Sequence, residues 1–362
     1  MRGRLPFYEF FAGGGMARLG LGTAWECTFA NEWCPKKAAS YRANFGGAPE
    51  LAVRDVASLT ARDLPGSAAL VWASFPCQDL SLAGPGGGLN GSRSGTFKPF
   101  WRLMLDLIGE GRAPTVIALE NVTGALTSHG GRDFGFIVES LAAAGYRTGA
   151  MVMDAARFVP QSRPRLFIVG VRSKGVASLP RPRQPWHTRA LIDAAEHRRD
   201  WAWWDVPEPD GDPGSLARIV EEPPCGVEWH TRAETRHLVG LMAPLHRERV
   251  RQAQTSGGVA VGAVYRRTRD GVQRAEVRFD GRAGCLRTPA GGSSRQTLLI
   301  VEGRRMRSRL LSPREAARLM GVPEDYRLPE RYNDAYHLLG DGVATPVISW
   351  LEQHLLRPAA MA

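Results

Sequence analysis

The arrangement that most restricts how this chain can fold is an alternation. From its start to about residue 171, short apolar runs, each only long enough for a buried strand, take turns with segments of helical periodicity. The runs at 7–12, 28–31, 68–74, 115–119, 149–153 and 165–171 read as strands, and the segments 17–24, 35–44, 100–108 and 134–144 as helices. A chain that repeats strand and helix in this way builds βαβ units and a mostly parallel sheet, so the expected class is α/β.

Near Gly175 the texture changes to Pro-, Trp- and Arg-rich sequence such as SLPRPRQPWHTR and WAWWDVPEPDGDPG, and the helical periodicity fades. Between Arg236 and Arg309 arginines outnumber acids, and the β-like runs VAVGAVYRR, AEVRFDG and QTLLIVEG surround a glycine-containing loop. This stretch reads as a small, basic, irregular β domain. Regular helix returns in SPREAARLMG, where Ser312 and Glu315 form an S-x-x-E capping box with Pro313 at the first helical position. A net charge of +11 over 362 residues suits a polyanionic partner, although an arginine-rich composition alone also produces it. Five cysteines, an odd number without a CxxC, argue against a disulfide framework and a zinc site and fit a reducing cytoplasm. Neither a targeting signal nor a membrane span is expected.

Four segments carry chemistry. The first, EFFAGGGMARLGLG, is a strand entering a glycine turn and then a helix; it is either a plain β-to-α turn or a place where a ligand approaches the backbone. Glu32 follows the second strand at a distance suited to holding ribose hydroxyls, and Asp55 can accept from an adenine amino group, which together describe an adenosine-containing cofactor. In the second, LVWASFPCQDLSLAG, an apolar strand ends at Cys77 and releases a glycine-rich loop, 79–95. Cys77 is either an inert buried thiol or a nucleophile at a strand end, under a loop able to close over substrate. The third, TVIALENV, ends in Glu120, which is either a surface acid or cap, or a group that handles a proton at a reacting base. The fourth, PQSRPRLFIVGVR, places Arg163 and Arg165 on the same side at the entrance to a strand, for structural ion pairing or for substrate.

These four segments, in this order and spacing, resemble the cytosine-5 DNA methyltransferase family of bacterial restriction-modification type. RLLSPREAARLMGVPEDY and LLGDGVATPV resemble the segments that close that family's chains, and the likeness covers residues 7–172 and 307–356. The resemblance implies an α/β, S-adenosylmethionine-dependent methyltransferase Rossmann-like doubly wound sheet with a second, smaller, irregular β-rich target-recognition domain. It divides the chain into a catalytic, cofactor-binding part at 1–174 and 307–362 and a target-recognition domain at 175–306. It implies that Cys77 adds to C6 of a flipped-out cytosine, that Glu120 bonds the N3 edge, and that Arg165, supported by Arg163, anchors the carbonyl. S-adenosylmethionine, leaving as S-adenosylhomocysteine, would be held by Phe11, Ala12, Gly13, Gly15, Met16, Glu32, Trp33, Asp55, Val56, Pro76, Asp341 and Val343. DNA would meet Gln78, Ser81 and Arg93 of the glycine loop, and Arg287, Thr288 and Arg295 of GCLRTPAGGSS.

The chain departs from the family at Glu9, where the pattern has Asp, at Met16, where the glycine turn has its last Gly, and at Asp341, where it has Asn. Partners implied are double-stranded DNA and a cognate restriction endonuclease encoded nearby, with the enzyme itself a monomer. An RNA cytosine-5 methyltransferase is the near alternative, disfavoured by the sizeable basic middle region. A nonenzymatic DNA-binding regulator predicts damage to Cys77, Glu120 or the arginines, all of which are present. Amino-group methyltransferases need an acid or amide before Pro-Pro-aromatic, which Phe75-Pro76-Cys77-Gln78 lacks.

Overall fold

The computed structural model describes residues 3–76, 94–196, 198, 200–269, 271–288 and 295–362. Contacts divide the chain into two compact units, one of residues 1–153, 164–209 and 347–362, the other of residues 154–163 and 210–346.

The first unit is built on a sheet of β1 (Leu5–Phe10), β2 (Trp25–Asn31), β3 (Leu51–Ala52), β4 (Leu70–Ala73), β5 (Val116–Val122), β6 (Arg147–Asp154) and β7 (Pro164–Val171), in the order β3-β2-β1-β4-β5-β7-β6. β1 pairs parallel with β2 and β4, and β4 parallel with β5, while β5 and β7 run antiparallel. The central strands are buried along their length, which is why β4 and most of β5 are apolar runs rather than alternations. Its helices include α1 (Met16–Leu21), α2 (Pro35–Asn44), α3 (Phe97–Gly109), α4 (Arg132–Ala143) and α5 (Arg189–Ala195). Strand order reverses beside β1, since β2 and β3 lie on one side and β4 and β5 on the other. A parallel sheet opens a crevice beyond its carboxyl ends at such a point.

Residues 175–209, whose sequence lacks βαβ texture, pack with this sheet. They include the two-stranded ribbon β8 (Ser178–Leu179) and β9 (Trp203–Trp204), and they bury Trp186 and Trp204. Val152 of β6 donates to the Trp186 carbonyl, and Gly149 of β6 lies so close to this segment that a Cβ there would be 2.0 Å from the Ala202 carbonyl oxygen. Covering β6 in this way protects backbone that an open edge would expose.

The second unit holds an antiparallel sheet of β10 (Val259–Arg269), β11 (Val272–Arg278), β12 (Thr297–Glu302) and β13 (Arg305–Leu310), ordered β11-β10-β12-β13. Its helices include α6 (Leu216–Ile219), α7 (Arg232–Gly240), α8 (Pro244–Thr255), α9 (Pro313–Leu319) and α10 (Tyr332–Asp341). Leu238 and Met242 join Val250 and Ala253 of α8 in a core with Val264, Val277, Leu299 and Val301. The β-rich character expected here is present, but the unit is regular and carries helices that composition obscured. The capping box of Thr231 and Glu234 announces α7, and Pro244 opens α8. The expected box of Ser312 and Glu315 caps α9, with Pro313 in its first turn.

Candidate active site

The glycine turn leaves β1 at its carboxyl end, at the point of strand reversal. Phe11, Gly13 and Gly15 all have positive φ, and at Gly15 a side chain is excluded twice over, by φ 78° and by the Phe45 ring 2.2 Å from where a Cβ would stand. Glu32, at the end of β2 and 4% exposed, ties the turn down: its Oε2 accepts from the Gly13 amide at 2.9 Å and its Oε1 from the Cys34 amide at 2.8 Å. Beside it the Trp33 indole is left 71% exposed. Asp55 follows β3, where its Oδ1 accepts from the Ala57 amide, and Val56 is buried next to it. Ala12 is buried too, and Pro76 lies just beyond β4. Met16 is buried as the first residue of α1.

Glu9 sits beneath the turn, 1% exposed. Gly15 offers α1 no capping side chain, and the Glu9 Oε1 accepts from the Arg18 amide at 3.3 Å, taking one of the amides a helix start leaves unsatisfied. Burial pushes its carboxyl up to about 7, opposed by the Tyr41 hydroxyl, which donates to Oε2 at 3.1 Å, and by Arg18.

Two strands away, β5 and β7 bring Glu120 and Arg165 together. Val122 stands opposite Arg165 and Glu120 opposite Phe167, so the two charged residues are diagonal neighbours. The Arg165 Nε lies 3.1 Å from the Glu120 Oε1, with the side chains 16% and 9% exposed. Arg165 also donates from Nη1 to the Pro164 carbonyl. Asn121, which sequence reasoning left without a role, donates to the Phe75 carbonyl at 3.3 Å and accepts from the Val122 amide. It thereby ties the end of β5 to the chain leaving β4, two residues before Cys77. Cys77, Gln78, Ser81 and Arg93 themselves lie outside the described residues.

Arg163 belongs to the second unit and has different partners from Arg165. It is 2% exposed; its Nη1 donates to the Leu286 carbonyl at 2.8 Å and to the Cys285 sulfur, and its Nη2 to the carbonyls of Gly340 and Gly342 at 2.8 and 2.6 Å. Gln161, fully buried and unassigned from sequence, works beside it, accepting from the Leu286 amide and donating to the Leu319 carbonyl. Among the residues expected to meet DNA, Arg287 is exposed, whereas the Thr288 hydroxyl donates to Asp341. Arg295 donates to Asn333 and lies over the Tyr332 ring, 5.5 Å from its centroid. Val343 is buried.

A glycine turn and a buried carboxylate at the switch point of a doubly wound sheet, with a Glu–Arg pair where β5 ends and β7 begins, are the build of a Rossmann-like α/β protein. Residues 5–357 match the family described as C-5 cytosine-specific DNA methylase. The chain belongs to that family, and its activity is methylation of cytosine at C5 in DNA. Among its relatives, the Type II methyltransferase M.BsuFI of Bacillus subtilis is 27% identical over 350 residues, 95% of this chain and 71% of that protein. M.HhaI of Haemophilus parahaemolyticus, also a Type II methyltransferase, is 25% identical over 354 residues, 97% of this chain and 94% of its own. The fold is shared with the crystal structure of S. pombe Dnmt2 methyltransferase, at TM-score 0.64 and 18% identity over 98% of this chain and 99% of that one. The family and fold use S-adenosylmethionine as methyl donor. The RNA-directed and nonenzymatic alternatives are not favoured.

Proposed function

We propose that this chain methylates a cytosine flipped out of duplex DNA by covalent catalysis through Cys77. The observation that carries this reading is the Glu120–Arg165 pair, a carboxylate and a guanidinium held together where two strands end, close in sequence to the loop tie made by Asn121. Cytosine C5 is too weak a nucleophile to accept a methyl unaided. Addition of the Cys77 thiolate to C6, with Glu120 holding a proton at N3, moves electron density to C5. Arg165 orients Glu120 and binds the base carbonyl. Arg163 acts at a distance as a positioning residue, since its guanidinium is committed to backbone carbonyls. Once C5 carries the methyl, loss of its proton and departure of the Cys77 sulfur restore the ring.

The glycine turn and Glu32 fit an adenosine-bearing cofactor. Each carboxylate oxygen accepts about two hydrogen bonds, so Glu32 retains capacity for ribose hydroxyls beyond the Gly13 and Cys34 amides, with the Trp33 ring alongside. S-adenosylmethionine would supply an electrophilic methyl on its sulfonium there and leave as S-adenosylhomocysteine. The stretch 175–306 carries target choice, with Arg287 and Thr288 meeting DNA. The enzyme is read as a cytoplasmic monomer and as the modifying half of a restriction-modification pair; the Type II names of its relatives support the pairing alone. Among the described residues no helix is long and apolar enough to cross a membrane.

Incubation with cofactor and target DNA containing 5-fluorocytosine tests the chemistry, because fluorine at C5 leaves no proton to remove and elimination stalls. The enzyme is expected to migrate with DNA through a denaturing gel, and Cys77→Ser is expected to give no adduct while still binding DNA. An undiminished adduct in Cys77→Ser would refute the nucleophile.

A further inference from the structure

We infer that Asp341 is a positioning residue for the DNA-reading segment, acting through Thr288, rather than a cofactor ligand. Asp341 is the last residue of α10, where the negative end of the helix dipole disfavours a carboxylate. Two contacts offset that cost. The Thr288 hydroxyl donates to the Asp341 Oδ1, and Arg163 places its cationic Nη2 on the carbonyls of Gly340 and Gly342, the residues flanking Asp341.

The backbone of the two segments is fitted as closely as the side chains. A Cβ on Gly340 would stand 3.1 Å from both the Arg287 carbonyl carbon and the Thr288 amide nitrogen, so any larger residue there would press the two segments apart by a few tenths of an ångström. The same guanidinium that holds Gly340 and Gly342 also holds the Leu286 carbonyl and the Cys285 sulfur, while Gln161 takes the Leu286 amide. Residues 285–288 are thus fastened from one side by Gln161 and Arg163 and from the other by Asp341. The Thr288–Asp341 bond is at the surface, beside the exposed Arg287, where a duplex can reach it. An ionised carboxylate only accepts, so Asp341 fixes the direction of the Thr288 hydroxyl and with it the presentation of Arg287. This role rests on the proposed DNA contact of Arg287 and Thr288.

Steady-state kinetics with separate KM values for DNA and S-adenosylmethionine test it in Asp341→Ala, Asp341→Asn, Thr288→Val and the Ala/Val double variant. Asp341→Ala and Thr288→Val are each expected to raise the DNA KM about tenfold or more, the worth of one hydrogen bond to a charged group. The double variant should be no worse than Thr288→Val, Asp341→Asn should restore the wild-type value because its amide oxygen still accepts, and the S-adenosylmethionine KM should change by less than about twofold. A raised S-adenosylmethionine KM in Asp341→Ala with an unaltered DNA KM would overturn the inference and return Asp341 to the cofactor. Additive effects in the double variant would overturn it as well. Arg287→Ala separates the two levels: an unchanged DNA KM there refutes the DNA contact itself, whereas a raised one beside a silent Asp341→Ala refutes only the role of Asp341.

Discussion

Two Arg–Glu pairs among the described residues, one in each unit, are built differently. In the second unit Arg309 and Glu315 are both 0% exposed. Arg309 meets Glu315 twice, at 2.7 and 2.6 Å, and the carboxylate also accepts from the amides of Ser312 and Glu221. In the first unit Arg165 approaches Glu120 through Nε at 3.1 Å, and both side chains retain some exposure at the ends of their strands. A sealed bidentate pair with backbone amides on its carboxylate is suited to holding β13 against the start of α9. A looser pair at a strand end is suited to receiving a substrate, because its groups can exchange partners without breaking the core. Burial of charge alone therefore does not distinguish the proposed active site; position in the sheet does.

The contrast can be broken most sharply at Glu120. Glu120→Gln keeps the shape and removes the charge, and is expected to lower kcat by about 10²- to 10⁴-fold while the melting temperature stays close to wild type. Single-turnover methylation beside thermal unfolding reads both, and a variant within about threefold of wild-type rate would dissolve the distinction between the pairs.

At the sealed pair the effect should move to stability. Glu315→Gln leaves the Arg309 guanidinium buried without its counter-charge, which costs about 3–5 kcal/mol. Urea unfolding followed by circular dichroism measures the loss, and a change below about 1 kcal/mol would show that the pair holds nothing together.

A third carboxylate, Glu32, extends the comparison. It is buried like Glu315 and bonded to amides, yet it sits at the switch point of the sheet, where we propose that it serves a ligand. Glu32→Ala is expected to weaken S-adenosylmethionine binding by about 1.5–3 kcal/mol, roughly ten- to a hundredfold in Kd. Calorimetry would show it, and wild-type affinity would remove Glu32 from the cofactor site.

The chain itself was enough to settle a good deal. Its alternating apolar and amphipathic segments match, within a few residues, the strands and α-helices found up to Val171 except the two-residue β3, which is too short to show a period. The capping box at Ser312 could be read because its partners are three residues apart. For the same reason the box at Thr231 was equally available in the sequence, though composition drew attention away from it. Glu120 and Arg165 stood out as charges at strand ends.

Other features depended on residues distant in sequence, and only the tertiary structure decided them. Residues 175–209 have weak periodicity because their tryptophans pack on β6, a surface that no local pattern describes. Arg163 and Arg165 alternate as if they share a task, yet one fastens residues more than 120 positions away while the other faces Glu120. Thr288 and Asp341 were expected to serve different ligands, and a hydrogen bond across 53 residues joins them. The physical reason is the range of the forces involved. Backbone propensity and capping act within a turn or two, whereas a side-chain hydrogen bond is specified only once the fold has placed donor and acceptor about 3 Å apart.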